Sequence, residues 1–187
     1  RYNLKIIFAD RFKYFLIAGV SLFLLIAILS LFDAGSNPNI AVIYYWLMFP
    51  GLLMIFYPTV FGIQNDVDSR TLEVLFGIPN YRYKVWLVRL VVIYLVVFAL
   101  LLVLAALCAF AFLPFNVFNM VFQLMYPIFF MGSLAFMLST LVRNGYGTAV
   151  IMVVIGLIFW ILAGALQESK WNIFLNPFHI PQNVSDL

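Results

Sequence analysis

Side chains able to act as acids, bases, nucleophiles or metal ligands are scarce in this chain and crowd into a few short stretches. Of 187 residues, ten are Lys or Arg, seven Asp or Glu, one is His and one is Cys. Asp66, Asp68, Arg70, Glu73, Arg82 and Lys84 share one stretch, and Arg1, Lys5, Asp10, Arg11 and Lys13 share another. No His-Glu-x-x-His metal motif, Gly-rich phosphate loop or Ser/His/Asp set at a common depth is present. His179 alone makes a poor metal site, because zinc takes about three or four protein ligands. An intramembrane haem would draw its axial His from facing helices. Cys108 has no partner for an internal disulfide and reads as a small hydrophobe in an apolar run. The expectation is a chain that is not an enzyme, with no catalytic residue, no metal and no cofactor of its own.

The surroundings of those few polar stretches decide the fold class. Hydrophobic residues make up 66% of the chain and charged residues only 9%, against about 25% charged in soluble domains. Too few charges exist to build a water-facing surface, so lipid must take the place of water. A helix needs about 20 apolar residues to cross the hydrocarbon core, and five runs qualify, over 14–32, 41–63, 85–112, 120–142 and 148–166. They are continuous and do not alternate, which predicts helices and not barrel strands. None holds an acidic residue, and Arg89 is the only cation within one. Ion-coupled carriers keep ionisable groups inside the membrane, so any energy for transport is expected to come from outside this chain. Gly132, Gly156 and Gly164 offer close helix contacts, and Pro50, Pro58 and Pro127 are expected to kink the second and fourth spans.

Orientation follows from the basic residues in short loops. One side would carry Arg1, Lys5, Arg11, Lys13, Arg70, Arg82, Lys84, Arg89 and Arg143, and the other only Lys170. The first side is therefore expected to be cytoplasmic, with the N-terminus on it. Residues 1–13 read as a basic amphipathic helix in the inner headgroup layer, with Leu4, Ile7, Phe8 and Phe12 at helical spacing. Residues 167–187, with Trp171, Phe174, Phe178, Pro177 and Pro181, read as an exterior interfacial segment. Such a tail often leads back into the bilayer, so a sixth span is expected beyond residue 187. The domain expectation is a single transmembrane unit over 1–187.

The long polar segment 64–84 reads as a short helix under the membrane. Asp68 or Ser69 can cap it and Glu73 suits its first turn. Leu72, Leu75 and Phe76 fall on one stripe, and Gly77 and Pro79 end it. Tyr81, Arg82, Tyr83 and Lys84 then anchor the third span. A helix this short needs support from the membrane surface or a partner. Two readings stay open on residues alone: a connector lying at the interface, or a knob that docks into a cleft of a soluble partner.

Asp66, Asp68, the run Thr71-Leu72-Glu73, Pro79 and Arg82 resemble the signature of membrane subunits of type-2 ATP-binding-cassette (ABC) exporters. Arg70 stands where that family commonly has Gly, and the acids are Asp where Glu is more usual. The order of elements is similar too: amphipathic N-terminal helix, two spans, inner helix, three further spans and an aromatic tail containing Leu175-Asn176-Pro177-Phe178. The resemblance implies an all-α permease whose coupling helix between the second and third spans meets a separate soluble ABC ATPase. Leu72, Leu75 and Phe76 would fill the ATPase cleft, while Thr71, Glu73 and Arg82 would make polar contacts or orient the helix before Pro79 ends it. ATP would be bound by that partner and not by this chain. A second copy, or a related permease, would complete the pathway in a bacterial inner membrane. Membrane lipids are the other expected partner, and no nucleic acid is. A membrane anchor that recruits a soluble complex without transporting anything is the alternative.

Overall fold

The computed structural model describes residues 12–32, 39–64, 86–142, 144–166, 169 and 172–178. Each of the five apolar runs is a helix: α1 Phe12–Phe32, α2 Ile40–Val60, α3 Val88–Ala111, α4 Val117–Val142 and α5 Gly145–Ala165. α2 continues past Phe61 to Gln64. The helices are apolar all round, without a polar stripe, the composition of segments surrounded by protein and lipid and not by water. In hydrocarbon every backbone N–H and C=O must find its partner within the segment, and the helix achieves that.

α2 and its continuation, α3, α4 and α5 are long and apolar enough to cross a membrane, and α1 carries a shorter apolar stretch, Leu16–Leu29. This is an integral membrane protein. Two charged residues lie in the helices, Lys13 and Arg89, both in a first turn.

Asparagine starts three of the helices. Asn39 precedes α2 in extended conformation, and its carbonyl accepts from the Val42 and Ile43 N–H groups. Asn116 caps α4, its Oδ1 taking the Asn119 N–H at 3.1 Å. Asn144 caps α5, its Oδ1 accepting from Tyr146 N at 3.0 Å and Gly147 N at 3.3 Å. A short acceptor before the first turn satisfies N–H groups that the helix itself leaves open.

α2 is the centre of the bundle, touching each of the other four helices, and α4 packs along it. Leu47, Met48, Met54, Leu101, Leu124 and Ile128 are fully enclosed there, and Cys108 is buried with them. Two glycines set the spacing. A Cβ on Gly51 of α2 would lie 2.5 Å from Ile128 Cδ1, and one on Gly132 of α4 would lie 2.6 Å from Tyr94 Oη and 2.8 Å from Ile55 Cγ1. Of the glycines expected to bring helices together, only Gly132 does so tightly: Gly156 meets Met131 Cε at 3.7 Å, and Gly164 faces nothing within 4 Å. Pro50 and Pro58 lie inside α2 and Pro127 inside α4. Each removes one backbone N–H from the helix ladder.

Exposure grades outward from α2. Of its most apolar window 56% is buried, against 11% for α5. α5 presents Val150, Leu157, Ile161 and other large apolar groups outward.

Candidate functional site

The expected coupling residues Thr71, Leu72, Glu73, Leu75, Phe76, Pro79 and Arg82 lie outside the described residues, as do residues 1–11 of the expected N-terminal helix. The structure describes the ground they are joined to. Gln64 ends the stretch before them and Trp86 begins the stretch after them.

Gln64 belongs to the last turn of the extended α2, and its Oε1 accepts the backbone N–H of Gly145 at 2.5 Å. The donor is one of the N–H groups that the start of α5 cannot satisfy internally. Phe61 lies flat on Tyr57, with ring centroids 5.3 Å apart, and meets Tyr146 edge-on at 5.6 Å. Aromatic rings favour both arrangements. One turn deeper, Ser139 Oγ of α4 donates to the Val60 carbonyl at 2.8 Å. The end of α2 is thus tied to both sides of the turn between α4 and α5.

Trp86 and Leu87 enter α3 through a π-type turn. Trp86 packs against Phe136 of α4 at 5.9 Å between centroids. Between them and α2 lies a small cleft lined by Pro58, Thr59, Gly62, Trp86, Arg89 and Phe136. Arg89 is 8% exposed. A Cβ added to Gly62 would sit 3.9 Å from the Arg89 Cζ, in ordinary contact, so the guanidinium lies beside this turn of α2. Buried cations are costly in a membrane and are kept where they have a task. Thr59, fully buried, turns its hydroxyl back to its own helix, onto the Ile55 carbonyl at 2.7 Å.

A second polar cluster sits mid-bundle. Tyr94 Oη of α3 donates to the Phe129 carbonyl of α4 at 3.0 Å and lies 3.3 Å from Ser133 Oγ, which itself donates to Phe129 O. The role of these groups is to join α3 to α4 beside Gly132.

At the opposite end of the bundle, segment 172–178 folds back onto the helices. Asn172 Nδ2 donates to Ala163 O of α5 at 3.3 Å, and Asn176 Nδ2 donates to Ala41 O of α2 at 2.8 Å. Phe174 is buried near Trp160 at 6.3 Å, and Phe178 lies against Tyr44 at 6.0 Å. The aromatic residues of this segment point to the lipid headgroup layer, whereas its two asparagines are what fasten it to the helices. The signal was present as a repeated Asn-x-Phe, in Asn172-Ile173-Phe174 and Asn176-Pro177-Phe178.

Among the described residues no group of three or more His, Cys, Asp or Glu side chains could hold a metal. At the Arg89 end the last turns of α2 are hydrogen-bonded to α4 and α5, and the start of α3 packs on α4. Comparison of the chain with family models, curated proteins and solved structures finds no match.

Proposed function

We propose that this chain is the membrane-spanning permease subunit of an ATP-driven exporter of the type-2 ABC kind. In this reading it crosses the bilayer five times, with α1 as the first span and the Arg89 end of the bundle in the cytoplasm. The setting is a bacterial inner membrane. The chain is not itself the enzyme: a separate soluble ATPase binds and hydrolyses ATP, and a second copy or a related permease completes the pathway.

The observation that carries the reading is the run from Asp66 through Thr71-Leu72-Glu73 to Pro79 and Arg82, joined at both ends to the tied end of the bundle. Gln64 holds α5, and Trp86 and Arg89 lie against α2 and α4. A push delivered to the intervening segment would reach four helices through these contacts, which suits a coupling element. Leu72, Leu75 and Phe76 supply the apolar stripe for helix-in-groove docking, with Thr71, Glu73 and Arg82 as its polar surround.

Affinity capture of the detergent-solubilised protein from its native membrane tests the proposal. The wild type should bring down an ABC ATPase, and the double substitution Leu75→Asp/Phe76→Asp should abolish that capture while the protein still inserts. Capture that survives the double substitution, or no ATPase in the wild-type eluate, overturns the docking role. Reconstituted vesicles then separate an exporter from an anchor: the exporter moves solute only with ATP, whereas an anchor captures the ATPase and moves nothing.

A further inference from the structure

The end of the bundle remote from Arg89 holds a device built from the repeated Asn-x-Phe. Each asparagine does two jobs. Its Oδ1 accepts the backbone N–H of the phenylalanine two residues on, from Phe174 N and Phe178 N, each at 3.0 Å. This is the Asx turn that asparagine favours. Its Nδ2 donates to a helix carbonyl, Asn172 to Ala163 O near the end of α5 and Asn176 to Ala41 O in the first turn of α2. Asn176 is 4% exposed and Phe174 is 5% exposed. Leu166 O takes Ser169 N, Ser169 O takes Asn172 N, and Asn172 O takes Leu175 N.

The surroundings make this link matter. Of the four helices long and apolar enough to cross a membrane α5 is the least buried; Ile161 is 70% exposed and Gly164 has open space around it. Near this end the Phe49 ring of α2 also meets Trp160 of α5 in a tilted pair, with centroids 5.4 Å apart. The two asparagines lie four residues apart in one segment, joined by the bond from Leu175 N to Asn172 O.

We propose that Asn172 and Asn176 form a two-pin latch that holds the last turns of α5 against the start of α2, and that the latch releases both pins together. Opening it swings the end of α5 away from α2 while the Gln64 bond keeps the other end of α5 in place. This rests on the hydrogen bonds and packing above and stands apart from the export reading.

Hydrogen exchange by mass spectrometry on the whole detergent-solubilised chain tests it. In the wild type, residues 160–166 and 172–178 should exchange at one common rate, faster than residues 120–135 of α4. Asn172→Asp and Asn176→Asp each keep the Oδ1 acceptor and remove the donor. Each alone should speed exchange in both 160–166 and 40–44 by at least about fivefold, the worth of one hydrogen bond, with the enclosed carboxyl group adding to the effect, and leave 120–135 unchanged. Two unrelated wild-type rates overturn the latch. So does a variant that loosens only its own side, or exchange that is equally slow in all three proteins. The wild-type comparison stands even where a variant fails to insert.

Discussion

The contact between Gly132 and Tyr94 shows how one missing methyl group sets the distance between helices. A methyl at Gly132 would meet both the Tyr94 hydroxyl and Ile55, and neither can withdraw far in a core this tightly filled. Gly132→Ala is expected to cost about 1–3 kcal/mol of stability, read from unfolding in mixed micelles. Combined with Tyr94→Phe, which removes the nearest clashing atom, the loss should fall below the sum of the two single losses. Gly164→Ala, where nothing lies within 4 Å, should leave stability unchanged or raise it slightly through helix propensity. The sequence supplied Gly132 and Gly164 as equals. Composition cannot tell a glycine facing α3 from one facing outward, because the difference lies in which side of the helix a neighbour occupies. Gly51, at the contact with Ile128, went unmarked for the same reason.

The five helices were legible as elements, because each is a long apolar run bounded by Gly, Pro or Asn, and a lipid setting leaves such a run little other choice. Their joints were harder to read. The asparagines at 39, 116 and 144 carry a local signal, and Asn144→Ala should destabilise the start of α5 by about 1 kcal/mol, seen as faster amide exchange at Tyr146 and Gly147. The bond from Gln64 to Gly145, that from Ser139 to Val60 and that from Asn176 to Ala41 join residues far apart in the chain. No spacing rule reaches across those separations. Nothing in the pattern announced that α2 would be the central helix and α5 the outer one, since both are apolar all round. Burial by protein and cover by lipid look alike in composition, and only packing separates them.

For the molecule as a whole, Cys108 is a built-in reporter. It is the chain's single cysteine and is fully buried between helices. A membrane-permeant maleimide should therefore leave the folded protein unlabelled and modify it once SDS unfolds the bundle, and the onset of labelling should track loss of tertiary packing in the Gly132→Ala protein. The proposed function rests on one segment, Asp66 to Arg82, which lies outside the described residues, and on the scarcity of charge within the spans; what the fold adds is the packing of Gln64 and Trp86, the described residues on either side of that segment. The Gln64 bond also bears on how this protein ages. Asn144-Gly145 is the dipeptide most prone to lose ammonia, because the glycine nitrogen can attack the asparagine side chain and close a succinimide ring. Here that nitrogen has its hydrogen committed to Gln64 Oε1 while the Asn144 side chain is held by two other N–H groups, so the attack geometry is denied. Stored Gln64→Leu protein should convert Asn144 to aspartate and isoaspartate faster than the wild type, as peptide mapping would record, and the folded state thereby sets the chemical lifetime of its own weakest amide.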